Sequence, residues 1–102
     1  KAKNLFSEHY PRFIRHLSGR ILLRFGMDFA RNLDLPKAKL CLETAAQKEG
    51  PWQEKALFEL AGVYNLMELD GLAKEAYEKI IDLFPGSEFS RLAEARMGLK
   101  EQ

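Results

Sequence analysis

Displaced by 35 residues, the sequence falls into register with itself. Gly26 meets Ala61, Phe29 meets Tyr64, Ala38 meets Ala73 and Leu42 meets Tyr77, small against small and large apolar against large. Ala45 meets Ile80 as a fifth apolar pair. A repeat of that length is one supersecondary unit, which buries its apolar face only against a neighbouring unit. A chain of 102 residues has room for about two such units with flanking pieces.

The unit reads as helical. Phe13, Leu17, Ile21, Phe25, Phe29 and Leu33 recur every four residues, with Ile14, Leu22 and Gly26 beside them, and predict one apolar stripe. Leu57, Leu60, Ala61 and Tyr64 follow helical spacing, as do Ala73, Ala76, Tyr77, Ile80, Ile81 and Phe84. Phe89, Leu92, Ala93 and Leu99 suggest a last helix. Period-two alternation is nearly absent, so strands are not expected. Asp34-Pro36, Gly50-Pro51, Asp70-Gly71 and Pro85-Gly86-Ser87 supply the caps, turns and stops. Helices are predicted over 12–33, 36–49, 51–68, 71–84 and 87–100, after a short N-terminal piece, with Ser18-Gly19 as the place for a kink in the first. Connections of two to four residues make neighbours antiparallel. The expected class is all-α, built of helical hairpins. Ala61 and Ala73 would let the two helices of a hairpin approach closely. Tyr64 and Tyr77 would fill the wedge between them, and Pro85 would end the second helix.

The stretch from Glu54 to Ser87 resembles a tetratricopeptide repeat, whose pattern is W-x2-L-G-x2-Y, then A-x3-F, then P. Leu60, Tyr64, Ala73, Tyr77 and Pro85 match it, while Leu57 replaces the Trp, Ala61 the Gly, and Ile80 a usual Ala. Residues 19–50 form a poorer copy in which Gly26, Ala38 and Ala45 match and Phe29 stands for the Tyr. The resemblance implies an α-solenoid of about two hairpins. An N-terminal helical segment would span 1–18, the repeats 19–53 and 54–87, and a C-terminal helix or half-repeat 88–102. The segment "YEKIIDLFPGSEFSRLAEARMGLKE" is similar to tetratricopeptide domains of bacterial envelope proteins, the Tol–Pal accessory protein and outer-membrane assembly lipoproteins among them. That likeness implies a bacterial periplasm or cell envelope.

The resemblance also implies a concave groove for a protein or peptide, lined by the first helix of each hairpin. By repeat position the first hairpin offers Arg20, Leu23, Arg24, Met27 and Arg31. The second offers Lys55, Phe58, Glu59, Gly62, Asn65 and Leu66. His16, Arg20 and Arg24 are four apart and would share a helix face, so a peptide with acidic and apolar residues would suit the groove. The arginines are equally readable as a solvated face, with Asp28 pairing to Arg24. Phe58 either packs on the neighbouring hairpin or anchors a ligand. A clamp for chaperone C-terminal carboxylates needs Lys and Asn where this chain carries Leu23, Met27 and Glu59, which argues against it.

Charge is distributed unevenly although the net value is +1: residues 1–35 hold seven Lys/Arg against three acids, and residues 36–102 nine against twelve. A balance so close to neutral argues against nucleic acid as the partner, although Arg12, Arg15, Arg20, Arg24 and Arg31 could contact phosphates. No apolar run is long enough for a membrane span. The chain opens on Lys1, as expected of a fragment or a processed form. Cys41, the single cysteine, lies between Leu40 and Leu42 and reads as a small buried hydrophobe. His9 and His16 lack companions at ligand spacing, so neither a metal, a cofactor nor a catalytic centre is expected. The expected function is a non-catalytic protein-interaction module, part of a larger chain. The alternative is a structural spacer or self-assembly unit, with a homodimer formed through exposed hairpin ends carrying Phe89 and Leu92.

Overall fold

The computed structural model describes residues 14–98. The predicted N-terminal piece up to Phe13, with His9 and Arg12, and Leu99 of the last helix lie outside the described residues. Five helices follow one another without a strand among those residues: α1 (Gly19–Arg31), α2 (Leu35–Ala46), α3 (Gln53–Leu66), α4 (Asp70–Leu83) and α5 (Glu88–Met97). Each packs on the next, and α1 also touches α3 as α3 touches α5. The odd-numbered helices thus form one row, with α2 and α4 behind it.

The predicted first helix does not run unbroken from 12 to 33. Ser18 takes an extended backbone and its Oγ accepts from the Ile21 N–H at 3.2 Å, starting α1 at Gly19. Ile14 is fully buried ahead of that cap, and Lys48 Nζ donates to the Arg15 carbonyl at 3.1 Å, tying this entry segment to the end of α2. The apolar stripe is also corrected. Leu22, Leu23 and Gly26 form the buried face, whereas Ile21 is 43% and Leu33 73% exposed. Four-residue spacing advances about 40° per step round a helix of 3.6 residues per turn, so residues from 13 to 33 cannot share one face. Leu17, Phe25 and Phe29 flank the core rather than fill it.

The repeat holds at the backbone level. Leu33 and Glu68, 35 apart, both have φ of 62°. Each is followed by the same closing bond, Asp34 N to Phe29 O and Leu69 N to Tyr64 O, both 2.8 Å. The turn between α3 and α4 is therefore built on Met67–Leu69. Asp70-Gly71, predicted as the turn, instead opens α4. Pro36 sits in the first turn of α2 behind Asp34, whose carboxylate meets Lys37 Nζ at 3.3 Å instead of capping the helix with its side chain. Gln53 Nε2 donates to the last α2 carbonyl, Ala46 O, at 2.9 Å. Pro85 follows the end of α4, and Ser87 caps α5 by accepting from Ser90 N at 3.0 Å.

The core is one cluster running through both hairpins, with Ala38, Cys41, Leu42, Ala45, Leu60, Ala61, Tyr64, Ala73, Tyr77 and Ile80 all buried. Close approach in the first hairpin is small against large, not small against small. A Cβ on Gly26 would lie 2.5 Å from Leu42 Cγ, so glycine there lets α2 seat its leucine on the α1 backbone.

Candidate functional site

A groove of about 370 Å³ lies between α1 and the start of α3. Its lining is Arg20, Leu23, Arg24, Met27, Asp28 and Arg31 from the first helix, with Trp52 and Lys55 from the second. Helical spacing makes this set. Positions 20, 24, 27 and 31 recur at three and four, which keeps their side chains on one side of α1. Leu23 is buried and Met27 half-buried, while Arg20, Arg24 and Arg31 are exposed above them.

Asp28 pairs with Arg31, Oδ1 to Nη1 at 3.3 Å, and not with Arg24 as spacing had suggested. Both partners are exposed, so that pair contributes little energy and leaves the site cationic. Arg20, Arg24 and Lys55 make no ion pair with a carboxylate among the described residues. Four cations thus stand against one acid. His16 does not join the arginine face, because it precedes the Ser18 cap and lies outside α1.

Sequence reasoning missed Trp52. It is 42% exposed at the N-cap position of α3, on the groove wall. The available signal was a large aromatic placed just after Gly50-Pro51 and outside the apolar period of α3.

The residues expected from the second hairpin divide. Lys55 joins the groove. Phe58 does not: its ring is 6.0 Å from that of Tyr77 and 5.1 Å from that of Phe89, with the Arg96 guanidinium 5.0 Å over it. It is the joint between the second hairpin and α5. Glu59 is half-buried away from the groove, Gly62 has nothing within 4 Å of its would-be Cβ, and Leu66 is 61% exposed near the end of α3. Asn65 lines a separate cleft at the α4–α5 end.

A larger depression of about 590 Å³ opens on the side of α2 and α4. Its floor is the packing layer itself, Leu57, Leu60, Tyr64 and Ala76, with Glu43, Glu75 and Lys79 as the charged groups of its lining. Tyr64 Oη donates to Glu43 Oε2 at 2.6 Å, and Lys39 Nζ lies 3.5 Å from the same oxygen. Burial, then the Glu43 carboxylate, push the Tyr64 hydroxyl's ionisation well above its usual range. This network joins the two hairpins and offers no reactive group. Among the described residues no three His, Cys, Asp or Glu side chains group to hold a metal, and no helix is long and apolar enough to cross a membrane.

Comparison of the chain with protein-family models, with curated proteins and with solved structures finds no match.

Proposed function

We propose that the chain is a non-catalytic protein-interaction module of tetratricopeptide-like hairpins, using the groove between α1 and α3 to hold a peptide segment with acidic and apolar residues. The observation carrying this reading is the groove's composition: Leu23, Met27 and Trp52 form an apolar surface framed by Arg20, Arg24, Arg31 and Lys55. Apolar contact with a few directing charges is how a shallow site gains both affinity and orientation. A rigid helical wall loses little conformational entropy on binding.

Trp52 supplies the test, because it is the single tryptophan of the sequence and lies in the site. Titration with peptides that combine Asp or Glu with Leu should shift its emission saturably, and the affinity should fall as salt rises. Arg20→Glu with Arg24→Glu should abolish the response with the helical circular dichroism unchanged. Equal binding of a charge-reversed peptide would overturn the reading.

A second reading, a unit that associates through its ends, is favoured by Leu92, which leaves 41% of its surface exposed on the terminal helix.

A further inference from the structure

A cleft of about 320 Å³ lies where the end of α3, the first half of α4 and the end of α5 meet. Asn65, Asp70, Lys74, Tyr77 and Arg96 bring polar groups to it, with Ala73 and Met97 as apolar wall. Tyr77 is only 3% exposed, and its hydroxyl accepts from Arg96 Nη1 at 3.4 Å. Having accepted, it donates to no partner among the described residues, so the hydroxyl keeps its proton to give into the cleft it lines. The Arg96 guanidinium lies over the Phe58 ring, 5.0 Å from its centroid, which fixes the fork while leaving most of its N–H groups unused. Neither Arg96 nor Lys74 is paired with a carboxylate among the described residues.

We infer that this cleft is a carboxylate-binding site, taking one singly charged carboxylate of about one-residue size through Arg96, Lys74 and the Tyr77 hydroxyl. An aromatic-backed guanidinium, an ammonium and a neutral O–H donor form the set that a planar carboxylate satisfies best. The Asp70 carboxylate reduces the local balance to one positive charge, which suits a monoanion better than a phosphate. The volume stands at the low end of small-ligand sites, roughly 300–1,000 Å³, and the methyl groups of Ala73 and Met97 would meet an alkyl group attached to the carboxylate. The inference is independent of the groove between α1 and α3, since the two clefts share no residue.

The test is nuclear magnetic resonance of the isotopically labelled full chain, following the Arg96 Nε–H and Asn65 side-chain signals. Probes are propionate, N-acetyl-leucine, N-acetyl-leucine amide, and chloride at matched ionic strength. The expected result is saturable shifts with both acids and none with the amide or chloride. Equal affinity for the acids would point to a free small acid. Tighter binding of N-acetyl-leucine would point to a peptide terminus. Tyr77→Phe, Lys74→Ala and Arg96→Gln should each weaken binding about tenfold or more, the loss of a hydrogen bond to a charged group. Lys74 is exposed and makes no ion pair among the described residues, so its substitution spares the fold even if Tyr77→Phe or Arg96→Gln loosens the packing of α5. Absence of saturable shifts, equal shifts with chloride, or unchanged affinity in the variants would overturn the inference. So would movement of the Arg96 signal on Glu101→Gln without a probe, since the chain's own carboxylate would then be the occupant.

Discussion

Two glycines in helix interiors show how residue-scale effects are decided by what surrounds the Cα. Gly26 and Gly62 carry the same propensity penalty, about 1 kcal/mol against alanine. At Gly62 nothing lies within 4 Å of an added Cβ, so Gly62→Ala should recover most of that energy. At Gly26 the added carbon would come 2.5 Å from Leu42 Cγ and 2.6 Å from its Cδ2, both in a fully buried side chain. Overpacking of that kind costs about 1–3 kcal/mol, which outweighs the propensity gain. Urea denaturation should therefore show Gly62→Ala raising the midpoint and Gly26→Ala lowering it. The pairing of Gly26 with Ala61 by sequence displacement flags a tight position in each hairpin, but not its partner. Gly98, by contrast, has φ of 78° and ends α5, a role unrelated to packing density.

At the scale of elements, the helices and their order were legible because apolar spacing and Pro/Gly punctuation agree over 35-residue units. What was not legible follows from local competition. Ser18 stops the first helix because its side chain satisfies an N–H that a continuing helix would bond by backbone. Glu68 takes a left-handed conformation that no residue-type rule would assign to glutamate, because the turn geometry of the repeat demands it there as at Leu33. The α1 residues that line the groove were named by repeat position, through the tetratricopeptide resemblance, and three- and four-residue spacing is why they share one side of the helix. Trp52 and the displacement of Phe58 were not legible, because both depend on how helices meet across the fold. The attachment of α5 is the element most open to test. Ser87 both caps α5 and donates its Oγ–H to Glu54 on α3, while Phe89 packs on Phe58. Ser87→Ala removes the cap, worth about 1 kcal/mol, together with that cross-helix bond. Hydrogen exchange should accelerate throughout α5 in this variant, with α1 and α2 unchanged, as expected for units that contact only their neighbours. Uniform acceleration across all five helices would show that the fold unfolds as one block and that α5 is no separate element.

For the whole molecule, the question is whether contacts run through the groove or through the ends. Excess positive charge lies in residues 1–35, and the groove concentrates it on α1. Under the proposed function the exposed Arg20 and Arg24 would repel a second copy brought to the same face and attract an acidic segment. At the other end α5 presents Leu92, 41% exposed, on a helix with no following helix among the described residues. The two surfaces can be separated by charge. Sedimentation equilibrium over a wide concentration range should give a monomer if the groove carries the function. Arg20→Glu with Arg24→Glu should then leave the mass unchanged while abolishing the Trp52 response to acidic peptides. A mass that rises with concentration, and returns to the monomer with Leu92→Lys while the Trp52 response persists, would instead place the end of α5 first. The groove would then be a secondary surface on a self-assembling unit. Because the charge changes lie on α1 and α5, helices that make no direct contact of note, the two sets of effects should be additive. Departure from additivity in the combined variant would mean that assembly and peptide binding are coupled.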